Sequence, residues 1–290
     1  MSLVLDDIQK FPKAELHRHL DGAVPKDIVR KVALRDGVRE FRTRTGLTVP
    51  VTDEAAFDRF YQIVDVPSFD ELLARFDFVL GSMQTPEHIE EVCYEATLDV
   101  AAKNIWYVEW TIAPAYHTRQ GLGVREVVQS ALRGLRRGRK DTGVLGKLIL
   151  GIQREAVDKE KPEDRRDPLG LAIARAAIEF RDAGVAALGL VCNEAKYPPE
   201  LYREAFRLAA KAGVKLALHA GEFGDRVKNV RTAVEDLHAA GIGHGIPVGG
   251  DSGLTELLGR RGVRLEANPL SNILTGAILS LEELKLDQLL

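Results

Sequence analysis

Four of the seven histidines in this 290-residue chain fall where side-chain chemistry can converge. His17 and His19 stand one residue apart in AELHRHLDG, at the end of a short apolar segment. Side chains alternate along an extended strand, so both imidazoles face one way while Leu16, Arg18 and Leu20 face the other. Neutral imidazoles at that spacing can both reach a zinc-sized ion, whose Zn–N bonds are about 2.0–2.1 Å long. His219 follows in KLALHAGE, again at the downstream end of an apolar run, with Glu222 three residues on. His244 sits among glycines in GIGHG. A histidine pair alone is a weak metal signal. Four histidines at the downstream ends of separate β-like segments form a stronger one, because in parallel α/β barrels and open sheets those ends and the loops after them build the active site.

The elements that must position these residues follow from the apolar pattern. Strands are predicted at 14–20, 105–113, 145–152, 185–191, 214–220, 241–245 and 263–268, with helix-like stretches near 86–103, 122–141, 167–183, 199–212, 227–240 and 251–261. Such βα alternation points to a parallel sheet. Residues 25–82 break the alternation: IVRKVALRDG, FDRFYQIV and FDELLARFDFVL predict a helical insertion after the first strand. Two readings of it stay open, a flap that excludes water from a bound ligand and simple packing over the barrel end.

Length and composition fit one large domain spanning 1–290, with 45% hydrophobic residues for a core. A net charge of −3 gives no pull towards nucleic acid or anionic membrane, and the run Arg133, Arg136, Arg137, Arg139, Lys140 reads as the solvated end of a helix. Cys93 and Cys192 are isolated, which argues against a disulfide framework and a CxxC zinc site. No apolar run approaches the 18 or more residues of a membrane span and no secretory leader opens the chain, so a cytoplasmic, reducing compartment is expected. Phosphate-loop and dinucleotide signatures are missing, as is the HxE with PCxxC pattern of base-editing deaminases.

PKAELHRHLDG, LHAGE, IGHG and NPLSNILTG, in that order over essentially the whole chain, resemble the adenosine deaminase branch of the amidohydrolase superfamily. The resemblance implies an α/β fold of the TIM-type (β/α)8 barrel class, with one catalytic zinc per chain and hydrolysis of an amino group from a small-molecule, purine-type ring. It implies His17, His19 and His219 as metal ligands, with zinc lowering the pKa of a water to roughly 7. His244 becomes the base, since an imidazole with an unperturbed pKa near 6.5 can shuttle protons at neutrality. Glu222 becomes the proton donor to the ring nitrogen beside the attacked carbon, a role that requires a raised pKa. Asp21, Gly221 and Cys192 fall at substrate-binding positions.

Plainer roles stand beside these: a core histidine at 244, a first-turn helix carboxylate at 222, and an ordinary Asp-Gly turn at 21. Ser271, Asn272 and Thr275 lie near the site, though they are equally good turn and capping residues. Where the family shows DLxGDE after its fourth strand, this chain reads GLVCNE: Gly189, Cys192 and Asn193 depart and Glu194 is retained. Thr111 stands where the family commonly shows arginine, beside Glu109. A side chain at 192 fills space that glycine leaves open, so the substrate is left as adenosine, adenine or a related 6-aminopurine compound. Seven strands are visible, and the eighth, with its metal-binding aspartate, is missing before Leu290, so the chain is expected to be a C-terminally truncated piece. Two other functions stay open: a different amidohydrolase-type hydrolysis on the same scaffold, and a non-catalytic ligand-binding paralogue.

Overall fold

A computed structural model of the chain describes residues 5–43, 45–62, 69–156 and 168–289. A short helix α1 (Leu5–Lys10) leads into β1 (Lys13–His19), followed by α2 (Leu20–Ala23) and α3 (Lys26–Arg35). Next come β2 (Glu40–Arg42), β3 (Thr48–Pro50), α4 (Glu54–Tyr61), α5 (Phe69–Ser82) and α6 (Pro86–Ala102). From there strand and helix alternate: β4 (Ile105–Ile112), α7 (Val124–Thr142), β5 (Leu145–Gln153), α8 (Pro168–Phe180), β6 (Val185–Val191), α9 (Arg203–Lys211) and β7 (Lys215–Ala220). The series closes with α10 (Arg226–Arg231), which runs into a π-helical turn at Thr232–Asp236, then β8 (Gly241–His244), α11 (Ser252–Arg261), β9 (Arg264–Glu266) and α12 (Pro269–Leu274).

One seven-stranded sheet has the order β1-β4-β5-β6-β7-β8-β9. Apart from the inserted β2 and β3, neighbours in space are neighbours in sequence, the strand order of a TIM-type barrel. All seven expected strands are found, each end within two residues of its expected position. Their sequences are rich in β-branched and large apolar residues, and β4 and β6 are buried along most of their length, as strands covered on both faces should be.

The chain forms two compact units, Met1–Ile112 with Tyr116–Leu148, and Ala113–Ala115 with Ile149–Leu290. In the first, β1 pairs parallel to β4, from Lys13 opposite Ile105 to His19 opposite Thr111, with register shifts after Lys13 and between Glu15 and Arg18. Such shifts re-aim the side chains that follow them, here the two histidines. The helices α6 and α7 pack with almost nothing between them. A Cβ added at Gly134 would lie 2.3 Å from the Glu90 carbonyl oxygen, and one at Gly138 would lie 2.5 Å from Thr97 Cβ. Glycine in a helix costs about 1 kcal/mol relative to alanine, and here it lets two backbones approach. The expected helical insertion needs correcting in one respect. It carries α3, α4 and α5 but also an antiparallel hairpin, with Phe41 of β2 opposite Val49 of β3. Phe41 and Phe57 both pack edge-on against Phe78, at centroid distances of 5.2 and 5.0 Å. Residues 44 and 63–68 of that insertion, and residue 167 of a predicted helix, lie outside the described residues.

In the second unit β6, β7, β8 and β9 are parallel neighbours, with Gly189 opposite Ala217, Ala220 opposite His244 and Gly243 opposite Glu266. The downstream ends of β7 and β8 therefore lie side by side and carry His219 and His244. The helix expected over 227–240 ends earlier, at Asp236, because the chain turns through His238 at a positive φ of 59°. No helix among the described residues is long and apolar enough to cross a membrane.

Candidate active site

In the second unit, the chain that leaves β7 at Ala220 turns at Gly221, whose φ of +80° suits glycine. The turn brings Glu222 back beside His244, so that Glu222 Oε2 lies 3.6 Å from His244 Nε2. His244 is buried, its ring 5.1 Å from that of His219, and its Nδ1 lies 2.7 Å from Oδ1 of Asn272 on α12. The plain reading of Asn272 as a turn residue thus gives way to a direct contact with His244.

Glu194 holds the turn from beneath. Its carboxylate is buried and accepts four hydrogen bonds, from the backbone amides of Gly221, Glu222 and Phe223 at 2.8–2.9 Å and from Nδ2 of Asn229 at 2.9 Å. The Gly221 amide is therefore committed to Glu194. Beside it, fully buried Arg154 at the end of β5 donates to the carbonyls of His219 and Tyr197, both at 2.6 Å, and its own carbonyl accepts from the Tyr202 hydroxyl. Arginine and glutamate, both desolvated, pin the β7 end through backbone rather than side-chain contacts. Arg226 adds a bond from Nε to the Glu222 carbonyl at 2.9 Å.

These surroundings decide the protonation of Glu222. Burial pushes its carboxyl up to about 7, and the negative Glu194 adds to the rise; Arg154, a hydrogen bond from Thr275 and Arg226 pull the other way. A carboxylic acid poised near neutrality is what a general acid needs. Among the three residues flagged near α12, Asn272 and Thr275 touch His244 and Glu222.

In the first unit, His17 and His19 are half-buried at the end of β1, their ring centroids 5.5 Å apart, so the HxH spacing does put both imidazoles on one side. Asp21 follows on α2, buried, with its Oδ1 4.0 Å from His19 Nδ1. Burial raises its carboxyl to about 6, against the lowering pull of its own and the Gly22 amide. Glu109 on β4 accepts from the Tyr107 hydroxyl at 2.7 Å. His17 and His19 thus offer two nitrogen donors close together, a donor type that suits zinc and its neighbours. In the second unit, Cys192 lies just past β6, half-buried, with a φ of +77° that side chains rarely adopt.

The profile of the adenosine deaminase family matches residues 12–290. The chain belongs to that family. An adenosine deaminase of Enterococcus faecalis is 32% identical over 285 residues, 97% of this chain and 77% of that protein. An adenosine deaminase of Clostridium botulinum is 31% identical over 277 residues, 95% and 77% of the two chains. Among solved structures, an amidohydrolase of Burkhoderia ambifaria with bound Zn is 27% identical, with a TM-score of 0.78 over 98% of this chain and 73% of that one. The adenine deaminase of Arthrobacter aurescens shares the fold at 23% identity, with a TM-score of 0.75 over 96% and 78%. Membership makes this adenosine deaminase relative a hydrolytic enzyme acting on purine-type amines, in a metal-dependent family.

Arg154 escapes a reading of the sequence, and Asn272 is read there only as lying near the site. Arg154 sits in LGKLILGIQRE, where a charged residue closing an apolar strand is the available signal. Asn272 is visible only as part of NPLSN, where proline and serine make a turn the simpler account.

Proposed function

We propose that this chain deaminates adenosine, adenine or a related 6-aminopurine compound by hydrolysis, with one zinc-class ion held by His17, His19 and His219. A bound ion of that kind supplies a nucleophile at neutral pH by lowering the pKa of a water to roughly 7. His244 accepts the proton that water gives up, through Nε2. Glu222, protonated near neutrality, lies against His244 and donates to the ring nitrogen next to the attacked carbon, which keeps the ring neutral as the oxygen adds; the proton taken up by His244 then passes to the amine, which leaves as ammonia. Asp21, Cys192 and Gly221 face the substrate. Gly221 contributes by its shape, since its amide is taken by Glu194.

The observation that carries this reading is Glu222: a buried carboxyl raised to about 7, 3.6 Å from His244, on a turn held by four hydrogen bonds to Glu194. Such a donor has a task in removing an amine from a ring and none in opening a lactone. Cys93 and Cys192, read as thiols, suit a cytoplasmic, reducing compartment. The test is ammonia release from a panel of aminopurines with zinc present. Turnover by the wild-type chain and its loss in Glu222→Gln would support the reading. Silence across the panel with metal bound, or hydrolysis that survives Glu222→Gln, would overturn it.

A further inference from the structure

His244 has two ring nitrogens, and what one of them does fixes what the other can do. Its Nδ1 lies 2.7 Å from Oδ1 of Asn272, and its Nε2 faces Glu222. An amide oxygen only accepts hydrogen bonds, so the ring nitrogen opposite it carries the proton. In a neutral imidazole the other nitrogen then keeps its lone pair. Asn272 is fully buried on α12 and locked by its backbone, its amide bonded to the Asn268 carbonyl at 2.9 Å and its carbonyl accepting from Ile278 at 3.1 Å. Its side-chain nitrogen is buried and has no hydrogen-bond partner among the described residues. A buried amide with half its hydrogen-bonding capacity unmet costs stability. Its remaining bond, to His244, is the reason such a residue can persist there.

We propose that Asn272 is a positioning residue that holds His244 in the Nδ1–H form and keeps the Nε2 lone pair turned towards Glu222 and the reaction centre. What the lone pair is used for rests on the deaminase reading above; the form of the ring does not. The pairing has a geometric reason. His244 ends β8 at a φ of +70°, which turns its ring away from the direction a regular strand would give it, and α12 begins three residues beyond β9 with Pro269 in its first turn. The short connection brings position 272 under the ring.

The test uses the zinc-loaded 290-residue chain labelled with 15N at histidine, observed by long-range 1H–15N correlation at pH 8.5, with His244→Gln assigning the His244 signals. Wild type and Asn272→Asp, which keeps an oxygen acceptor, are expected to show a protonated Nδ1 and a bare Nε2. Asn272→Leu, of similar size without an acceptor, is expected to show an Nε2–H population. Its kcat should fall about 10–100-fold, the usual effect of removing an orienting partner, with KM within about threefold, while Asn272→Asp retains most of kcat. A wild-type ring protonated at Nε2 would overturn the proposal, as would a folded Asn272→Leu that keeps the Nδ1–H form and its kcat. Should Asn272→Leu fail to fold, wild type and Asn272→Asp still decide the matter. Should no aminopurine be turned over, the spectra decide it while the deaminase reading falls separately.

Discussion

Replacing Glu194 by glutamine changes one atom of a buried carboxylate and tests the support of the whole turn. Oε1 accepts from the Gly221 amide and Asn229 Nδ2, and Oε2 from the amides of Glu222 and Phe223. Glutamine keeps one acceptor and turns an NH2 towards the other pair, so two buried N–H groups lose their acceptor and meet another donor. Each such loss costs about 1–3 kcal/mol, giving roughly 2–6 kcal/mol for the pair. At about 2 °C per kcal/mol for a chain of this length, the thermal midpoint should fall by roughly 4–12 °C. A second consequence is electrostatic. The negative charge of Glu194 helps hold the Glu222 proton, so its removal lets Glu222 ionise at lower pH, and Arg154 then acts on Glu222 unopposed. Wild-type kcat is expected to decline as pH rises through about 7, and in Glu194→Gln the decline should begin at lower pH. Calorimetry and a kcat profile between pH 5 and 9 read the two effects. A midpoint within 2 °C of wild type, together with an unmoved profile, would refute the reasoning.

Four further outcomes follow from the same geometry. Glu222→Gln should lower kcat by about 10²–10⁴-fold yet stabilise the fold at pH 8. A carboxyl with a native pKa near 7 keeps its proton between about pH 4.5 and 7 while the unfolded chain has lost it, so wild-type stability falls across that window by roughly 3 kcal/mol and the variant is spared the fall; denaturant melts at pH 4 and pH 8 should show a gap that opens only at the higher value. His219→Ala should reduce metal content, measured by elemental analysis after dialysis, and a chelator should abolish ammonia release in wild type until zinc is restored. Cys192→Val should cost about 1–2 kcal/mol, because a β-branched residue tolerates a φ of +77° poorly, whereas Cys192→Gly should melt close to wild type. Gly134→Ala should lower the thermal midpoint despite alanine's better helix propensity, since its Cβ would stand 2.3 Å from a backbone oxygen and overpacking costs about 1–3 kcal/mol.

The barrel strands could be read from the sequence because each is a continuous apolar run set between amphipathic stretches, a pattern that survives without any tertiary information. The hairpin of β2 and β3 could not. Its strands are three residues long, EFR and TVP, too short to show a period of two, and they are held by aromatic packing from distant helices. The HxH pair was legible for its spacing alone. Glu222 could be singled out, but not its protonation, which depends on burial and on Glu194 and Arg154 brought in from other strands. Glu194 itself stood out only as the retained letter of an altered motif, with no hint of the four donors it serves. Asn272 and Arg154 show the same limit: a side chain whose work is to aim or pin another carries no local signature.

The contact of α6 with α7 has a mechanical side. Where long side chains separate two helices, they can roll or slide by exchanging rotamers; where Gly134 and Gly138 bring main chain against Glu90 and Thr97, there is nothing soft to rearrange. The two helices must then open together or not at all, and their amide protons should exchange with solvent as a single slow block.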